Sequence, residues 1–490
     1  MATTTTILER CKISPPADSV PEFTLPILFF DMIWYDFAAN QSVLFFEFPA
    51  GCSKSHFMDS IVPQLKTSLS LTLSHFLPLA GNIIHPAPLN LTGDNNNNNN
   101  NNNNMKPVIR YESGDSVSLT ISESTADFNH LTGNHPRASE DFYAFAPQLS
   151  KATHSEYSIT CPVLALQVTL FPGKGLCIGF VTHHAVADAS TVVSFIQAWA
   201  LINSRSDDGE DNNNKNNILA HELLKENNNC LPFYDRKAVI NLNGLDSLYW
   251  DLIVKFASPV EPPPVKLPIN KLRSTFVMKK DEIQKLKNLL LAKCPGLGHL
   301  SSFTVICALV WVCSAKTAAF GGDDVADDES EYFGFVADCR GRLNPPLPAN
   351  YFGNCVALVM AVLKHGEVIK GIDDGFVMAA KAIGEAIKEN VYNEKGILYD
   401  AENWPEEYGK LIGKRQYSVA GSPRFDFYAA DYGWGKPNKF EALFIDSGET
   451  ISLCKSREFH GGLEIGVSKP KVLMDAFTTV FAEVLTNLLQ

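Results

Sequence analysis

The chain has 490 residues, more than one hydrophobic core ordinarily organises, so two domains are the default. Hydrophobic residues make up 45% and charged residues 19%, which excludes a mainly disordered or fibrous chain. A net charge of −13 argues against a general nucleic-acid or anionic-membrane binder while permitting one local basic groove. The 11 cysteines are odd in number and contain no C-x-x-C, which suits reduced, buried thiols and predicts neither a disulfide frame nor a metal site.

Met1 to Pro16 has no apolar core of signal-peptide length, and the apolar stretch Leu25–Phe48 is broken by Asp31, Asp36, Asn40 and Glu47. No bilayer span is expected, and the reading is a soluble cytosolic protein. The polyasparagine tract Asn95–Asn104 reads as a surface-loop insertion between the apolar Leu77–Ile84 region and the strand-like Val108–Tyr111. Val163–Leu170 and Leu176–Thr182 have the β-branched, apolar character of strands. Ala189 to Ile202 follows as a helix, with Val192, Val193, Ile196, Trp199 and Ala200 on one stripe. The polar stretch Ser204–Asn217 predicts a second loop, with Asn227–Asn229 close behind, and Pro259–Pro268 an extended linker. Beyond it, Asp281–Ala292 predicts an acidic-started helix and Phe303–Cys313 a buried one. Helices and strands alternate in both halves, so the fold class is α/β. The expected division is residues 1–225, a crossover over 226–265, and residues 266–490.

Three segments carry residues suited to chemistry. Thr182-His183-His184-Ala185-Val186-Ala187-Asp188 stands at a predicted strand end, where a base would be held by rigid elements at a rim. Histidine accepts a proton near neutrality, and Asp188 could orient the ring or anchor the turn to an arginine. By itself the spacing fits a buried core histidine and a helix-capping aspartate better. The second segment is Asp431-Tyr432-Gly433-Trp434-Gly435, whose glycines mark close approach or unusual torsions. The third is Asp338-Cys339-Arg340-Gly341-Arg342, leading to Tyr351-Phe352-Gly353-Asn354-Cys355. Taken singly, these two read as a structural turn and a proline-rich connection. Gly244-Leu245-Asp246-Ser247-Leu248 resembles a carrier-protein serine site without the small helical domain such a site needs. Neither G-x-S-x-G nor a P-loop is present.

Together, His184-x-x-x-Asp188 and Asp431–Gly435 resemble the signature pair of the BAHD family of plant acyl-CoA-dependent acyltransferases. Leu25-Pro26 with Phe29-Phe30-Asp31 and Trp34, His75-Phe76-Leu77-Pro78-Leu79-Ala80-Gly81, and Gly461–Gly466 extend the likeness over nearly the whole chain. Tyr351–Cys355 and Pro232-Phe233-Tyr234-Asp235-Arg236 are similar to the branch that acylates anthocyanin, flavonoid and phenolic glucosides, often from malonyl-CoA. Tyr432 departs from the family's usual Phe, and Ala189 stands where Gly is common.

The resemblance implies two similarly built mixed-sheet domains, chloramphenicol-acetyltransferase-like, with a channel between them and His184 at its centre. It implies acyl-CoA as co-substrate, no tightly bound cofactor and no metal. A phenolic glycoside is the acceptor, neither nucleic acid nor membrane is a partner, and a monomer is expected. Asp188 is expected to pair with a buried arginine. Asp431 is expected to pair with Arg340 or Arg342 and hold the turn of Gly433, Trp434 and Gly435, the alternative being direct proton transfer. Coenzyme A is expected on the second domain, at Arg273, Lys280, Ser301 and Ser302, residues that a solvated surface and a helix cap would explain equally well. A hydroxycinnamoyl donor and a catalytically decayed ligand-binding member are the competing readings.

Overall fold

The computed structural model describes residues 5–17, 19–48, 52–86, 106–205, 213–226, 230–240, 244–256, 261–297, 299–322 and 324–490. The polyasparagine tract and Asn227–Asn229 lie outside them. A six-stranded sheet runs β1 (Thr5–Ile13), β6 (Val117–Ser124), β10 (Leu164–Phe171), β11 (Gly175–Thr182), β3 (Asn40–Glu47), β16 (Lys439–Ala442). A seven-stranded sheet runs β14 (Val356–Lys364), β13 (Ser330–Asp338), β15 (Arg415–Ala420), β17 (Thr450–Lys455), β18 (Leu463–Pro470), β12 (Lys271–Met278), β7 (Arg137–Ala138). A smaller sheet of β2 (Phe23–Pro26), β5 (Val108–Tyr111), β4 (Asn82–Pro86), β9 (Ser158–Pro162) and β8 (Thr153–His154) flanks the first half. Parallel pairs (β6 with β10, β13 with β15, β15 with β17) sit among antiparallel ones, so both large sheets are mixed.

The apolar runs behave as their length and composition dictate. Every residue of β10 and β11 is buried, because these central strands are covered on both faces. The helix Ala189–Arg205 follows β11 and packs its stripe against the helix Val62–His75. In the second half the helix Ser302–Ala318 has no polar face and lies in the core, against the helices Asp373–Asn390, Lys471–Leu489 and Lys280–Lys293. Ser302–Gly321 and Lys471–Leu489 are both long and apolar enough to cross a membrane, but 72% of the first one's apolar window is buried inside the protein. The loop expected over Ser204–Asn217 is corrected at both ends: Ser204 and Arg205 end one helix, the helix Asn213–Glu226 begins within the stretch, and residues 206–212 lie outside the described ones. Buried Ala220 and Leu224 hold that helix against Val62–His75, so packing overrides the poor helix propensity of asparagine.

The two large sheets exchange strands. β7, from the first half, pairs with β12 at the edge of the second sheet, setting Arg137 opposite Arg273. β16, from the second half, pairs with β3 at the edge of the first. Two guanidiniums side by side in a dry seam require carboxylates. Glu441 of β16 supplies one, 2.7 Å from Arg137 Nη1 and 3.2 Å from Arg273 Nη1, and Asp446 lies 3.0 Å from Arg273 Nη2. Lys439 Nζ donates to Asn134 Oδ1 and Thr275 Oγ1 in the same seam. The arginines and Lys439 hold the buried Glu441 carboxyl below its usual pKa. Glu441→Gln should therefore cost roughly 3–5 kcal/mol in denaturant unfolding by stranding buried guanidiniums; a loss under 1 kcal/mol would show that the seam is not held this way.

Candidate active site

The chain leaves β11 at Thr182, and His183 adds one more rung by donating its N–H to Val163 O at 2.9 Å. A tight turn follows, in which Val186 N–H bonds to His183 O, and Asp188 then starts the helix Ala189–Arg205. Asp188 Oδ1 accepts the N–H of Thr191 at 3.0 Å, and its carbonyl accepts that of Val192 at 3.0 Å. That is the work of an N-cap. The four-residue spacing thus carries the chain from strand end to helix start with His184 at the bend.

The two histidines have different surroundings. His183 is fully buried; its Nδ1 accepts the N–H of Ala185 at 3.2 Å, which places its proton on Nε2. His184 is partly exposed, and its Nδ1 is enclosed without a hydrogen-bond partner. Its ring lies flat on Trp34, with centroids 4.2 Å and planes 7° apart, and Phe37 meets it edge-on at 6.1 Å. Burial lowers the pKa of both histidines to about 4, against an ordinary value of 6.5, so both are neutral near pH 7.

Asp188 turns away from His184 toward the second half of the chain. Arg340 grips it with two nitrogens, Nη1 to Oδ2 at 2.8 Å and Nη2 to Oδ1 at 3.1 Å. Both side chains are nearly fully buried. Arg340 also bonds Asp338, Tyr351 O and Gly353 O, and the carboxylate raises its pKa further. Cys355 N–H completes the shell of Asp188 at 3.3 Å. The neighbouring Asn354 donates its side-chain amide to His184 O at 2.9 Å and to the buried Asp31 at 3.1 Å. Asp31 in turn lies 3.4 Å from Arg236, which bonds the Tyr351 hydroxyl. Phe29–Asp31, Pro232–Arg236 and Tyr351–Cys355, far apart in the chain, therefore form one knot under the His184 turn.

Asp431 does not meet either expected arginine. Its Oδ1 accepts the N–H groups of Gly433 at 2.8 Å and Gly435 at 3.0 Å, both of which have φ near +100°. The carboxylate thus stabilises a turn that only glycines adopt without strain. Trp434 stacks on Tyr432 and meets Phe46 and Phe48 edge-on, and Tyr432 packs on Trp199, which seats the turn on the first domain. Of the two arginines expected for Asp431, Arg340 is committed to Asp188 and Arg342 donates to Asp338 O. Arg273 is likewise unavailable to coenzyme A: its side chain is 1% exposed and paired in the seam. Lys280 is exposed at the start of the helix Lys280–Lys293, and Ser301 caps the helix Ser302–Ala318 by accepting Thr304 N–H at 3.1 Å. Ser302, the first residue of that helix, is partly exposed. Among the described residues no cluster of three or more metal-ligating side chains occurs. Trp34 and Asn354 belong to segments legible in the sequence, but nothing there assigned them to His184.

Two outcomes follow from this geometry. The Tyr432 hydroxyl is buried and has no partner. Replacing it by hydrogen removes that desolvation cost, so Tyr432→Phe should leave stability unchanged or raise it by about 1 kcal/mol in urea melts; a loss of that size would mean that the hydroxyl is satisfied in solution. His183 and His184 have folded pKa values below their unfolded ones, so their contribution is complete above about pH 6.5 and is lost as pH falls toward 4. Each loses roughly 1.4 kcal/mol per pH unit within that window. Between pH 7 and 5, His184→Gln should lose less stability than the wild type; equal losses would contradict the neutral assignment.

Residues 126–484 match the sequence profile of the Transferase family. The phenolic glucoside malonyltransferase 1 of Nicotiana tabacum is 41% identical over 91% of this chain and 91% of its own length. The malonyl-coenzyme:anthocyanin 5-O-glucoside-6'''-O-malonyltransferase of Salvia splendens is 39% identical over 98% and 96%. The crystal structure of vinorine synthase has the same fold, with a TM-score of 0.66 at 18% identity over 98% of both chains. A match over most of the chain, with relatives well above 30% identity, shows that this protein belongs to the Transferase family, the BAHD acyltransferases.

Proposed function

We propose that this protein transfers a malonyl group from malonyl-CoA to a sugar hydroxyl of a phenolic or flavonoid glucoside. The observation that carries the chemistry is His184: neutral, partly exposed, at a strand end against the Tyr351–Cys355 segment of the second half. Its Nδ1 is enclosed, so Nε2 is the nitrogen available to a substrate. In a ternary complex that nitrogen takes the proton of the sugar hydroxyl as the oxygen attacks the thioester carbonyl. The tetrahedral intermediate then collapses, the C–S bond breaks, and the imidazolium returns the proton to the departing thiolate. A thioester is already activated, so no protein nucleophile is needed, and a well-placed base contributes roughly 10²–10⁴ in rate.

Asp188, Arg340 and Asp431 act on shape in this reading. The Asp188–Arg340 pair holds the His184 turn against the second half, and Asp431 holds the Gly433–Gly435 turn. Coenzyme A is assigned to the second domain, with Lys280 and the Ser301–Ser302 helix start near its phosphates and Arg273 removed from that set. The malonyl donor rests on the 39–41% identity to malonyltransferases of glucosides. A monomer in the cytosol is the accompanying assignment, in keeping with cysteines that are all free.

The test is coenzyme A release and product mass on mixing the protein with malonyl-CoA or coumaroyl-CoA and a panel of phenolic and anthocyanin glucosides. Malonyl-CoA should turn over faster; coumaroyl-CoA faster with every acceptor would reassign the donor, and no release with either would favour a binding protein. His184→Ala should lower the rate at least about 100-fold while remaining folded. His183→Ala, which removes a fully buried ring, should act mainly by lowering stability.

A further inference from the structure

A base that must take a proton along one direction needs its ring held. In a serine-hydrolase triad a carboxylate on the second ring nitrogen does this. Here that arrangement is absent: Asp188 is bound on both oxygens by Arg340, and His184 Nδ1 has no hydrogen-bond partner. Asn354 donates to the carbonyl of His184, and its side chain lies near enough to the ring to favour the protonated imidazole, but its Oδ1 and the ring Nδ1 make no hydrogen bond with one another. The contacts that define the ring plane are aromatic. Trp34 covers one face at 4.2 Å and 7°, and Phe37 closes on it at 67°. Trp34 is itself held: it is 9% exposed and meets Phe37 edge-on at 5.0 Å.

We propose that Trp34 is the positioning residue of the acyl transfer, orienting the His184 ring by stacking and stabilising the imidazolium that forms when the sugar hydroxyl is deprotonated. The inference rests on the acyl-transfer reading above. An indole face attracts a cation held over it, so the stack strengthens as His184 gains its proton and weakens as the thiolate recovers it. The interaction is then greater in the charged intermediate than in the ground state, which is the condition for raising kcat rather than lowering KM. It supplies an alternative to the carboxylate that the Asp188–Arg340 pair has withdrawn.

Wild type, Trp34→Phe and Trp34→Leu are compared by coenzyme A release over a range of malonyl-CoA, with a phenolic glucoside in excess and melting followed in parallel. Trp34→Leu should lower kcat roughly 10- to 100-fold with the malonyl-CoA KM within about twofold, and Trp34→Phe, which keeps an aromatic face, should recover most of the rate. A folded Trp34→Leu protein that keeps more than about half of the wild-type kcat overturns the proposal, as does a loss shared in full by Trp34→Phe. A second readout needs no turnover. The Cε1–H proton resonance of His184, assigned by its disappearance in His184→Gln, should lie upfield in the ring current of Trp34 and move downfield in Trp34→Leu. An unmoved resonance overturns the stack. Absence of turnover in the wild type with either donor would instead defeat the acyl-transfer reading, and the resonance would still decide whether Trp34 holds the ring.

Discussion

The buried pair of Asp188 and Arg340 is the constraint on which the site's geometry turns. Asp188 belongs to the strand–turn–helix that carries His184, and Arg340 to the segment leading out of β13 in the second half. Joining them brings two sheets of separate chain origin to one place. Desolvating two charges is expensive, so such a pair persists only where further hydrogen bonds complete it. Here they do: Thr191 and Cys355 donate to the carboxylate, while Tyr351 and Gly353 offer carbonyls to the guanidinium. The same carbonyls fix Tyr351–Cys355, whose Asn354 reaches back to the His184 carbonyl. The pair thus sets the position of the His184 turn without touching the ring.

A second set of buried charges operates at the strand exchange. Arg137, Arg273 and Lys439 come from three strands, and Glu441 and Asp446 answer them. Because β7 and β16 each cross into the other half's sheet, neither large sheet is complete without the other part of the chain. This ties the halves more firmly than an interface of side chains alone. Strands shared at both edges oppose rocking of one half against the other.

How much of this was legible in the sequence depended on range. Local patterns held: the strands around Val163–Leu170 and Leu176–Thr182, the helix from Ala189 and the buried run Phe303–Cys313 lie where periodicity and composition put them, within a few residues. Pairings across the chain were not legible. Asp188 needed an arginine, but whether Arg340 served it or Asp431 is decided by contacts over 152 residues of separation. Asp431 could do without one because two glycine N–H groups stood within reach of its carboxylate. Arg273 looked like a phosphate ligand because a strand-edge arginine in an acidic chain suggests one. Its register opposite Arg137, which buries it, exists only once β7 has crossed to the second sheet. Trp34 is 150 residues from His184, and no local pattern could announce a stack between them.

In the proposed acyl transfer, the surroundings of His184 also bear on how a histidine so depressed in pKa would serve as the base. A base near pKa 4 is weak toward water, yet it is wholly in the accepting form at neutral pH. On that proposal, what the site has to supply is stabilisation of the imidazolium during the interval before the thiolate reclaims the proton. Asp188 provides some attraction at a distance, muted by its pairing with Arg340. The faces and edges of Trp34 and Phe37 lie against the ring itself. Burial keeps the resting histidine neutral, and on the proposed reading Trp34 offers a π-face to the charged one.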